Sequence, residues 1–219
     1  MLVIFDLDGT LLNTIADLAQ ATNYALEQTG FPPHATAAYP YFVGNGVRRL
    51  MERVLPEDMR SDENVDRLLE HFRSYYDTHL YTHTQPYPGI PELLRELRAR
   101  GISVAVASNK YQGAVERLIA HFFPDIEWAA VRGQNEGIPV KPDPSIVFEI
   151  LYKHPTPKHD VIYVGDSGVD IITARRAGVT AVGVTWGFRP ESELRDNYAD
   201  YIAATPEAVL GIVLSPDRM

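Results

Sequence analysis

The chain has 219 residues, of which 45% are hydrophobic and 22% are charged, and its formal net charge is −9 at pH 7. This composition is typical of one large or two small globular domains, and it excludes a disordered chain, a coiled coil and a fibrous repeat. A surface this acidic repels phosphate backbones, so we expect no nucleic-acid partner. The absence of cysteine excludes disulfides and thiolate metal sites.

The chain is also expected to be cytoplasmic and to have no membrane partner. No apolar run approaches the ~18 residues that a membrane span requires. The first apolar run, at residues 2–5, leads directly into acidic residues, which leaves no room for a signal peptide.

The first part of the chain predicts one strand followed by helices. Residues 2–6 are apolar and β-branched and precede a glycine-containing turn, which is typical of a buried strand. Thr14 and Asp17 then fit a capping box at the start of a helix. Two more apolar stripes at helical spacing cover residues 47–55 and 65–80, and no convincing strand interrupts them.

After the Pro86-Tyr87-Pro88-Gly89 break, helices and strands alternate. This order implies a parallel sheet with helices on both faces, and the strand at 2–6 belongs to the same sheet. We therefore predict a doubly wound α/β core of residues 1–13 and 85–219, with an all-helical domain of residues 14–84 inserted after the first strand. The predicted helices of the second part cover residues 91–100, 112–123, 144–153, 169–177 and 206–214, and the predicted strands cover residues 102–107, 127–131, 160–165, 180–184 and 199–203.

Polar residues follow the predicted strands of this sheet. Ligands of open α/β sheets bind beyond the carboxyl ends of the strands, so these residues are expected to meet at one edge. They are Asp6, Asp8 and Gly9 after the first strand, Ser108 and Asn109 after residues 102–107, Lys141 after residues 127–131, and Asp166 and Asp170 after residues 160–165.

This set of residues has the chemistry of phosphoryl transfer. Clustered carboxylates raise one another's pKa values, and a hard cation such as Mg²⁺ relieves their repulsion. One carboxylate can attack phosphorus to form an aspartyl phosphate, while a second exchanges protons with the leaving oxygen and the attacking water. The Ser108 hydroxyl, the Lys141 ammonium and backbone N–H groups of the Gly9 turn can bind the phosphoryl oxygens. The pattern indicates a small phosphorylated metabolite as substrate.

The motifs also resemble a known family. FDLDGT at residues 5–10, a strand ending in Ser108, Lys141-Pro142 and GDS-x-x-D at residues 165–170 follow one another as in the haloacid dehalogenase-like hydrolase superfamily. The inserted helices resemble the small helical cap of its cap-bearing subfamily. The stretches GNGV at 44–47 and GVTWGFRPESEL at 183–194 resemble phosphoglycolate phosphatases. The resemblance implies a Rossmann-like core, Mg²⁺ and phosphomonoester hydrolysis.

The same resemblance implies roles for the individual residues. Asp6 would be the nucleophile and a metal ligand, and Asp8 the general acid and base, with its backbone carbonyl as a metal ligand. Asp166 would be a further metal ligand, and Asp170 would support the metal shell or orient Lys141. From the residues alone, Asp170 could instead only favour the N-terminus of its helix. Ser108 and Lys141 would hold the phosphoryl group, with Asn109 close by.

Two features of the inserted helices could contact substrate. Gly44-Asn45-Gly46 is either a turn that starts a helix or a loop that lies over the substrate. Arg48 and Arg49 point about 100° apart on the following helix, and either could meet a substrate carboxylate. Arg48 flanks the apolar stripe and is slightly preferred, so Gly46 and Arg48 are the predicted substrate contacts of this segment.

Other functions remain open at this stage. A sugar phosphomutase similar to β-phosphoglucomutase, or a pyrophosphatase, would use the same phosphoenzyme chemistry. A phospho-accepting signalling module is the alternative that is not an enzyme, although a compact module of that kind lacks the long inserted segment. The protein is expected to be a monomer or a homodimer.

Overall fold

A computed structural model describes residues 1–215 of the chain, and its central feature is a six-stranded sheet. Each neighbouring pair of strands runs parallel. The spatial order is β5-β4-β1-β6-β7-β8, and these strands are β1 (Leu2–Phe5), β4 (Ser103–Tyr111), β5 (Ala130–Gln134), β6 (Val161–Gly165), β7 (Thr180–Val184) and β8 (Tyr201–Ala203).

The position of β1 inside the sheet explains why its sequence is apolar. Leu2, Val3, Ile4 and Phe5 are all fully buried, because β1 pairs with β4 on one side and with β6 on the other. Strands that are covered on both faces are apolar throughout rather than alternating. The carboxyl ends of β1, β4 and β6 therefore lie side by side, and Asp6 is the first residue beyond the end of β1.

Helices cover both faces of the sheet, which confirms the predicted doubly wound α/β fold. Val3 and Phe5 of β1 face one apolar cluster, and Leu2 and Ile4 face the other. The first cluster includes side chains of α5 (Ile90–Ala99), α6 (Gln112–Phe122) and α10 (Pro206–Leu214), and the second includes side chains of α7 (Ser145–Lys153), α8 (Gly168–Ala177) and α9 (Glu191–Asp196).

The inserted segment is helical, as its apolar stripes predict. Its two longest helices, α1 (Ile15–Gln28) and α4 (Asp62–His79), pack against each other and share an apolar cluster that includes Leu18 and Phe72. We call residues 14–84 the cap, and its standing as a separate domain remains a prediction. Its helices are α1 (Ile15–Gln28), α2 (Tyr39–Phe42), α3 (Val47–Val54) and α4 (Asp62–His79).

A two-stranded ribbon, absent from the prediction, joins the cap to the sheet. In it, β2 (Leu12–Asn13) pairs antiparallel with β3 (Gln85–Pro86). Strands of two residues are too short to show a hydrophobic period, and Pro86 argues against a strand on sequence grounds alone. The ribbon holds the two chain crossings between cap and core side by side.

The predicted capping box at Thr14 is wrong. The Thr14 hydroxyl donates to Oδ1 of Asp8 at 2.6 Å instead of capping α1. The Asp17 carboxylate accepts backbone N–H groups of His83 at 3.0 Å and Thr84 at 2.9 Å, and the Thr84 hydroxyl at 2.8 Å. Both side chains therefore tie the start of α1 to other segments, which no local sequence pattern reveals.

Some elements of the core also differ from the prediction, and β4 extends to Tyr111 rather than ending at residue 107. Strand β5 begins at Ala130 and continues to Gln134, three residues later than expected, because its pairing with β4 extends to Tyr111 and Gln134. Helix α9 was not predicted, since six residues carry little periodic signal. No helix within residues 1–215 combines the length and apolar character that a bilayer crossing requires.

We predict that Asp17→Ala destabilises the fold by at least about 2 kcal/mol, because it leaves buried N–H donors of the cap–core crossing without an acceptor. Urea unfolding followed by circular dichroism measures this change. Asp58→Ala, at an exposed position, is the matched control and should change stability by less than about 0.5 kcal/mol. Equal effects of the two substitutions would contradict this role of Asp17.

Candidate active site

The turn after β1 brings the backbone of Gly9 into close contact with Asp166. Gly9 has φ = +87°, a conformation that other residues rarely adopt. A Cβ atom at this position would lie 2.3 Å from Oδ2 of Asp166. A glycine is therefore required here for both the turn and the close approach of Asp166.

Three buried carboxylates meet at the ends of β1 and β6. Asp6, Asp166 and Asp170 each offer one oxygen atom, and these atoms all lie within 4.8 Å of one another. The sequence places these residues far apart, and the parallel pairing of β1 with β6 brings them together.

Lys141 supplies the positive charge of this cluster. Its Nζ atom lies 2.9 Å from Oδ1 of Asp6 and 2.7 Å from Oδ1 of Asp170. It also donates to the Ala107 carbonyl at 2.9 Å and contacts the Tyr163 hydroxyl at 3.0 Å. Although burial lowers the pKa of Lys141, the charges of Asp170 and Asp6 raise it well above its ordinary value, so the lysine is a fixed cation.

The single charge of Lys141 does not balance the negative charges of Asp6, Asp166 and Asp170. Burial, together with the charge of Asp170, raises the pKa of Asp6 from 3.8 to about 7, and Lys141 only partly offsets this. Burial and the same neighbouring charges raise the pKa of Asp166 well above its ordinary value. The site therefore favours the binding of a further cation.

The donor set fits a hard divalent cation such as Mg²⁺, which takes one or two carboxylates together with water and substrate oxygens. The Asp166 carboxylate is held by the Phe188 N–H at 2.6 Å, and a Cβ atom on Gly187 would lie 2.2 Å from Cβ of Asp166. Both oxygens of Asp170 accept short hydrogen bonds, Oδ1 from Lys141 at 2.7 Å and Oδ2 from the Ser167 hydroxyl at 2.7 Å, whereas Oδ1 of Asp166 has only a long contact of 3.4 Å from the Thr10 hydroxyl. Asp6 and Asp166 are therefore the better ligands, and Asp170 holds Lys141 in place.

The Asp8 side chain lies outside this carboxylate group. Its Oδ1 atom is 3.0 Å from Nζ of Lys110 and accepts the Thr14 hydroxyl at 2.6 Å. The prediction of Asp8 as a metal ligand therefore rests on its backbone carbonyl alone. Lys110 is itself buried. Burial lowers its pKa, but the interactions with Asp8 and Tyr76 together more than offset this, so the net pKa is above its ordinary value.

Of the predicted phosphate donors, Ser108 is the one available. Its buried hydroxyl accepts the Lys110 N–H at 3.2 Å, which leaves its own O–H free to donate. The Gly9 N–H is used by the Leu12 carbonyl at 2.9 Å. The Asn109 side chain donates to the carbonyls of Gly44 and Lys141 and accepts the Lys141 N–H. Neither of these two groups reaches a phosphate without breaking an existing bond.

The cap closes over these residues and forms a cleft of about 660 Å³, part of which is open to solvent. Asn109 donates to the Gly44 carbonyl at 2.9 Å, and Arg189 donates to the Val43 carbonyl at 3.2 Å. The Tyr111 hydroxyl donates to Asp77 of α4 at 2.6 Å. The cleft is lined by core residues including Asp6, Asp8, Ser108, Lys110 and Asp166 and by cap residues including Leu18, Gly46, Leu50, Phe72 and Tyr76.

Known proteins are similar to this chain in both sequence and fold. The sequence model of the haloacid dehalogenase-like hydrolase family matches residues 3–184. A phosphoglycolate phosphatase from Mannheimia succiniciproducens is 32% identical over 207 residues, or 92% of each chain. One from Agrobacterium fabrum is 34% identical and covers 94% of this chain and 91% of its own. A solved structure of a candidate phosphoglycolate phosphatase from Lactobacillus delbrueckii subsp. bulgaricus has a TM-score of 0.92 at 34% identity, covering 97% of this chain and 98% of its own.

The chain belongs to the haloacid dehalogenase-like hydrolase family. The predicted family, the similarity to phosphoglycolate phosphatases and the phosphatase class are thereby confirmed, and the signalling alternative is set aside. The roles of the individual site residues remain predictions.

In this hydrolase, the two cap residues predicted to contact the substrate, Gly46 and Arg48, lie in different places. Gly46 lines the cleft, with φ = +84° at the start of α3. Arg48 does not belong to that lining, because its guanidinium is paired with Asp62 at 2.5 Å and Asp66 at 2.6 Å on the cap surface. Arg49 is paired with Glu52. The prediction that Arg48 meets the substrate is therefore not supported by its position.

Lys110, Tyr76 and Arg189 line the cleft but have no role in the sequence-based prediction. Lys110 follows the predicted strand at 102–107, and lysine in such a position is usually on the surface. Tyr76 belongs to the apolar helical stripe at residues 65–80, which predicts packing within the cap. Arg189 lies in the loop after β7 and lines the cleft. No alternating pattern reveals the burial of Lys110, because β4 is buried without interruption from Val104 to Lys110.

We predict that Mg²⁺ stabilises this protein more at pH 8 than at pH 5. The folded-state pKa of Asp6 is raised to about 7, so without metal its contribution to stability is present below about pH 4 and is lost as the pH rises through 7. Because Mg²⁺ binds the ionised carboxylates, the metal restores stability where that loss has occurred. Thermal unfolding with and without Mg²⁺ at the two pH values measures the effect. Asp166→Asn should reduce the Mg²⁺-dependent shift, and an equal Mg²⁺ shift at pH 5 and pH 8 would argue against this site.

Proposed function

We propose that the protein is a Mg²⁺-dependent phosphomonoesterase that acts through an aspartyl phosphate on Asp6, with 2-phosphoglycolate as its substrate. The observation that carries this proposal is the position of Asp6. Its carboxylate lies at the end of the central strand, paired with Lys141 and adjacent to Asp166, and it lines the cleft beneath the cap.

The Asp6 carboxylate is oriented for attack on phosphorus. Its Oδ1 atom accepts the Leu7 N–H at 2.7 Å and pairs with Lys141 at 2.9 Å. Oδ2 then forms the bond to phosphorus as the bond from phosphorus to the leaving alcohol oxygen breaks. The Ser108 hydroxyl donates to the phosphoryl oxygens, and the Lys141 charge offsets the charge that they bring.

Asp8 moves the protons of both half-reactions. It gives a proton to the leaving alcohol oxygen, and it later takes one from the water that attacks the phosphorus of the aspartyl phosphate. That second step releases inorganic phosphate and restores the Asp6 carboxylate. A Mg²⁺ ion held by Asp6, Asp166 and the Asp8 backbone carbonyl would supply positive charge beside the phosphoryl oxygens.

Two arguments favour phosphoglycolate within the phosphomonoesters. The two relatives at 32% and 34% identity are named phosphoglycolate phosphatases, and their sequences align with more than nine-tenths of this chain. The cap covers the cleft, and this enclosure suits a compact ester and limits the water that reaches the phosphoenzyme. A cytoplasmic location and a monomeric or homodimeric state remain predictions.

We predict that wild-type protein hydrolyses p-nitrophenyl phosphate in the presence of Mg²⁺ and that Asp6→Asn lowers kcat at least about a thousandfold, because the amide cannot form the phosphoenzyme. Asp125→Asn, at an exposed position, is the control and should keep wild-type rates. Hydrolysis by Asp6→Asn at the wild-type rate would refute the role of Asp6.

We also predict that 2-phosphoglycolate has the highest kcat/KM in a panel that includes ethyl phosphate, β-glucose 1-phosphate and pyrophosphate. Released phosphate measures hydrolysis, and chromatography of the sugar phosphates detects isomerisation. A higher kcat/KM for pyrophosphate, or glucose 6-phosphate as the main product, would favour the alternative activities over this one.

A further inference from the structure

Two polar side chains of the cleft, Lys110 and Tyr76, have no part in the phosphoryl transfer described above. Both are buried, and both line the cleft. The Lys110 Nζ atom lies 4.9 Å from the centre of the Tyr76 ring. One residue comes from β4 of the core and the other from α4 of the cap, so the pair forms where the cap closes.

The Tyr76 hydroxyl is a buried donor with no hydrogen-bond partner in residues 1–215. Buried polar groups of this kind are rare in folded proteins, because each forfeits its hydrogen bonds to water. Burial raises the pKa of Tyr76 to about 12 although the Lys110 charge lowers it. The hydroxyl therefore keeps its proton and can donate to a ligand in the cleft.

Lys110 has donors to spare. An ammonium has three N–H donors, and in the described residues Lys110 pairs with Asp8 at 3.0 Å and interacts with Tyr76, which leaves at least one donor for a ligand. The other cation of the cleft, Arg189, already donates to the Val43 carbonyl and lies 3.8 Å from Glu193. Lys110 is therefore the cation best able to bind a second anionic group of the substrate.

The position of Asp8 fixes which end of the substrate lies here. Asp8 contacts the leaving alcohol oxygen in the proposed reaction, and Lys110 is in contact with Asp8. Lys141 instead pairs with Asp6, the residue that attacks phosphorus in the proposed reaction. The walls beside Tyr76 are apolar, formed by Leu18, Val43, Val47, Leu50 and Phe72, so they offer no competing polar partner.

We propose that Lys110 and Tyr76 form the binding site for a carboxylate on the leaving alcohol, one methylene away from the ester oxygen. Lys110 supplies the charge, and the Tyr76 hydroxyl donates a hydrogen bond to the carboxylate. This inference rests on the proposed phosphomonoesterase activity and adds the residues that select a carboxylate-bearing ester. It also gives the unpartnered hydroxyl an acceptor.

Tyr76→Phe tests the proposal, because it removes only the hydroxyl. Kinetics are measured on 2-phosphoglycolate and on ethyl phosphate, in which a methyl group replaces the carboxylate. We expect kcat/KM for phosphoglycolate to fall about tenfold, the usual effect of losing a hydrogen bond to a charged group, with a change of less than about twofold for ethyl phosphate. The melting temperature should not fall, since the lost hydroxyl has no partner in the described residues.

Tyr75→Phe on the same helix is the matched control. Tyr75 stacks on Tyr24 and His79 and does not belong to the lining of the cleft, so this variant should keep wild-type values on both substrates. Lys110→Met should lower activity on both substrates, since Lys110 contacts Asp8. It should also lower the ratio of the two kcat/KM values, which isolates the effect on the carboxylate.

Several outcomes would overturn the inference. In Tyr76→Phe these are an unchanged kcat/KM for phosphoglycolate, or equal losses on both substrates, which would indicate a purely structural role. Wild-type protein that hydrolyses p-nitrophenyl phosphate but does not prefer phosphoglycolate to ethyl phosphate would refute the carboxylate site and leave the phosphatase proposal standing. Failure to hydrolyse p-nitrophenyl phosphate with Mg²⁺ would refute both.

Discussion

The ion pairs of Lys141 are the interaction on which the rest of the site depends. One buried ammonium pairs with Asp6 at 2.9 Å and with Asp170 at 2.7 Å. Removal of one partner from a buried ion pair leaves an uncompensated charge, which typically costs about 3–5 kcal/mol. Lys141 follows β5, at one edge of the sheet, while Asp6 and Asp170 follow β1 and β6 near its middle. The lysine therefore joins three separate parts of the chain that the sheet has already brought to the same edge.

Asp170 takes part in two interactions at once, the capping box of α8 and the ion pair with Lys141. Its Oδ2 atom accepts the N–H and hydroxyl of Ser167 as part of the capping box of α8, while its Oδ1 atom holds Lys141. Gly165 lacks a side chain where a Cβ atom would lie 2.3 Å from Cβ of Asp170. The role in the helix cap and the role in orienting Lys141, which the sequence left as alternatives, are therefore compatible because the two oxygens of one carboxylate point to different partners.

The core of the site could be predicted from sequence because strand ends of a parallel sheet converge. Asp6, Ser108 and Asp166 each directly follow a buried apolar run, so their meeting follows from topology alone. The predictions that failed concern contacts between distant segments. Asp17 was assigned to a helix cap but accepts N–H groups from residues 83 and 84, and Arg48 was assigned to substrate but pairs with Asp62 of α4. Local periodicity contains no information about such partners.

Lys110 and Tyr76 illustrate the same limit for function. An apolar helical stripe that includes a tyrosine correctly predicts packing, and Tyr76 does stack on Phe72 at 5.1 Å. Its hydroxyl, however, extends the same side chain to the edge of the reaction site, where the neighbouring charges are those of Lys110 and Asp8. The packing of α4 on the core places this hydroxyl beside Lys110, which is paired with Asp8. The cleft therefore takes its lining from both the cap and the core, so its shape depends on how these two parts pack against each other.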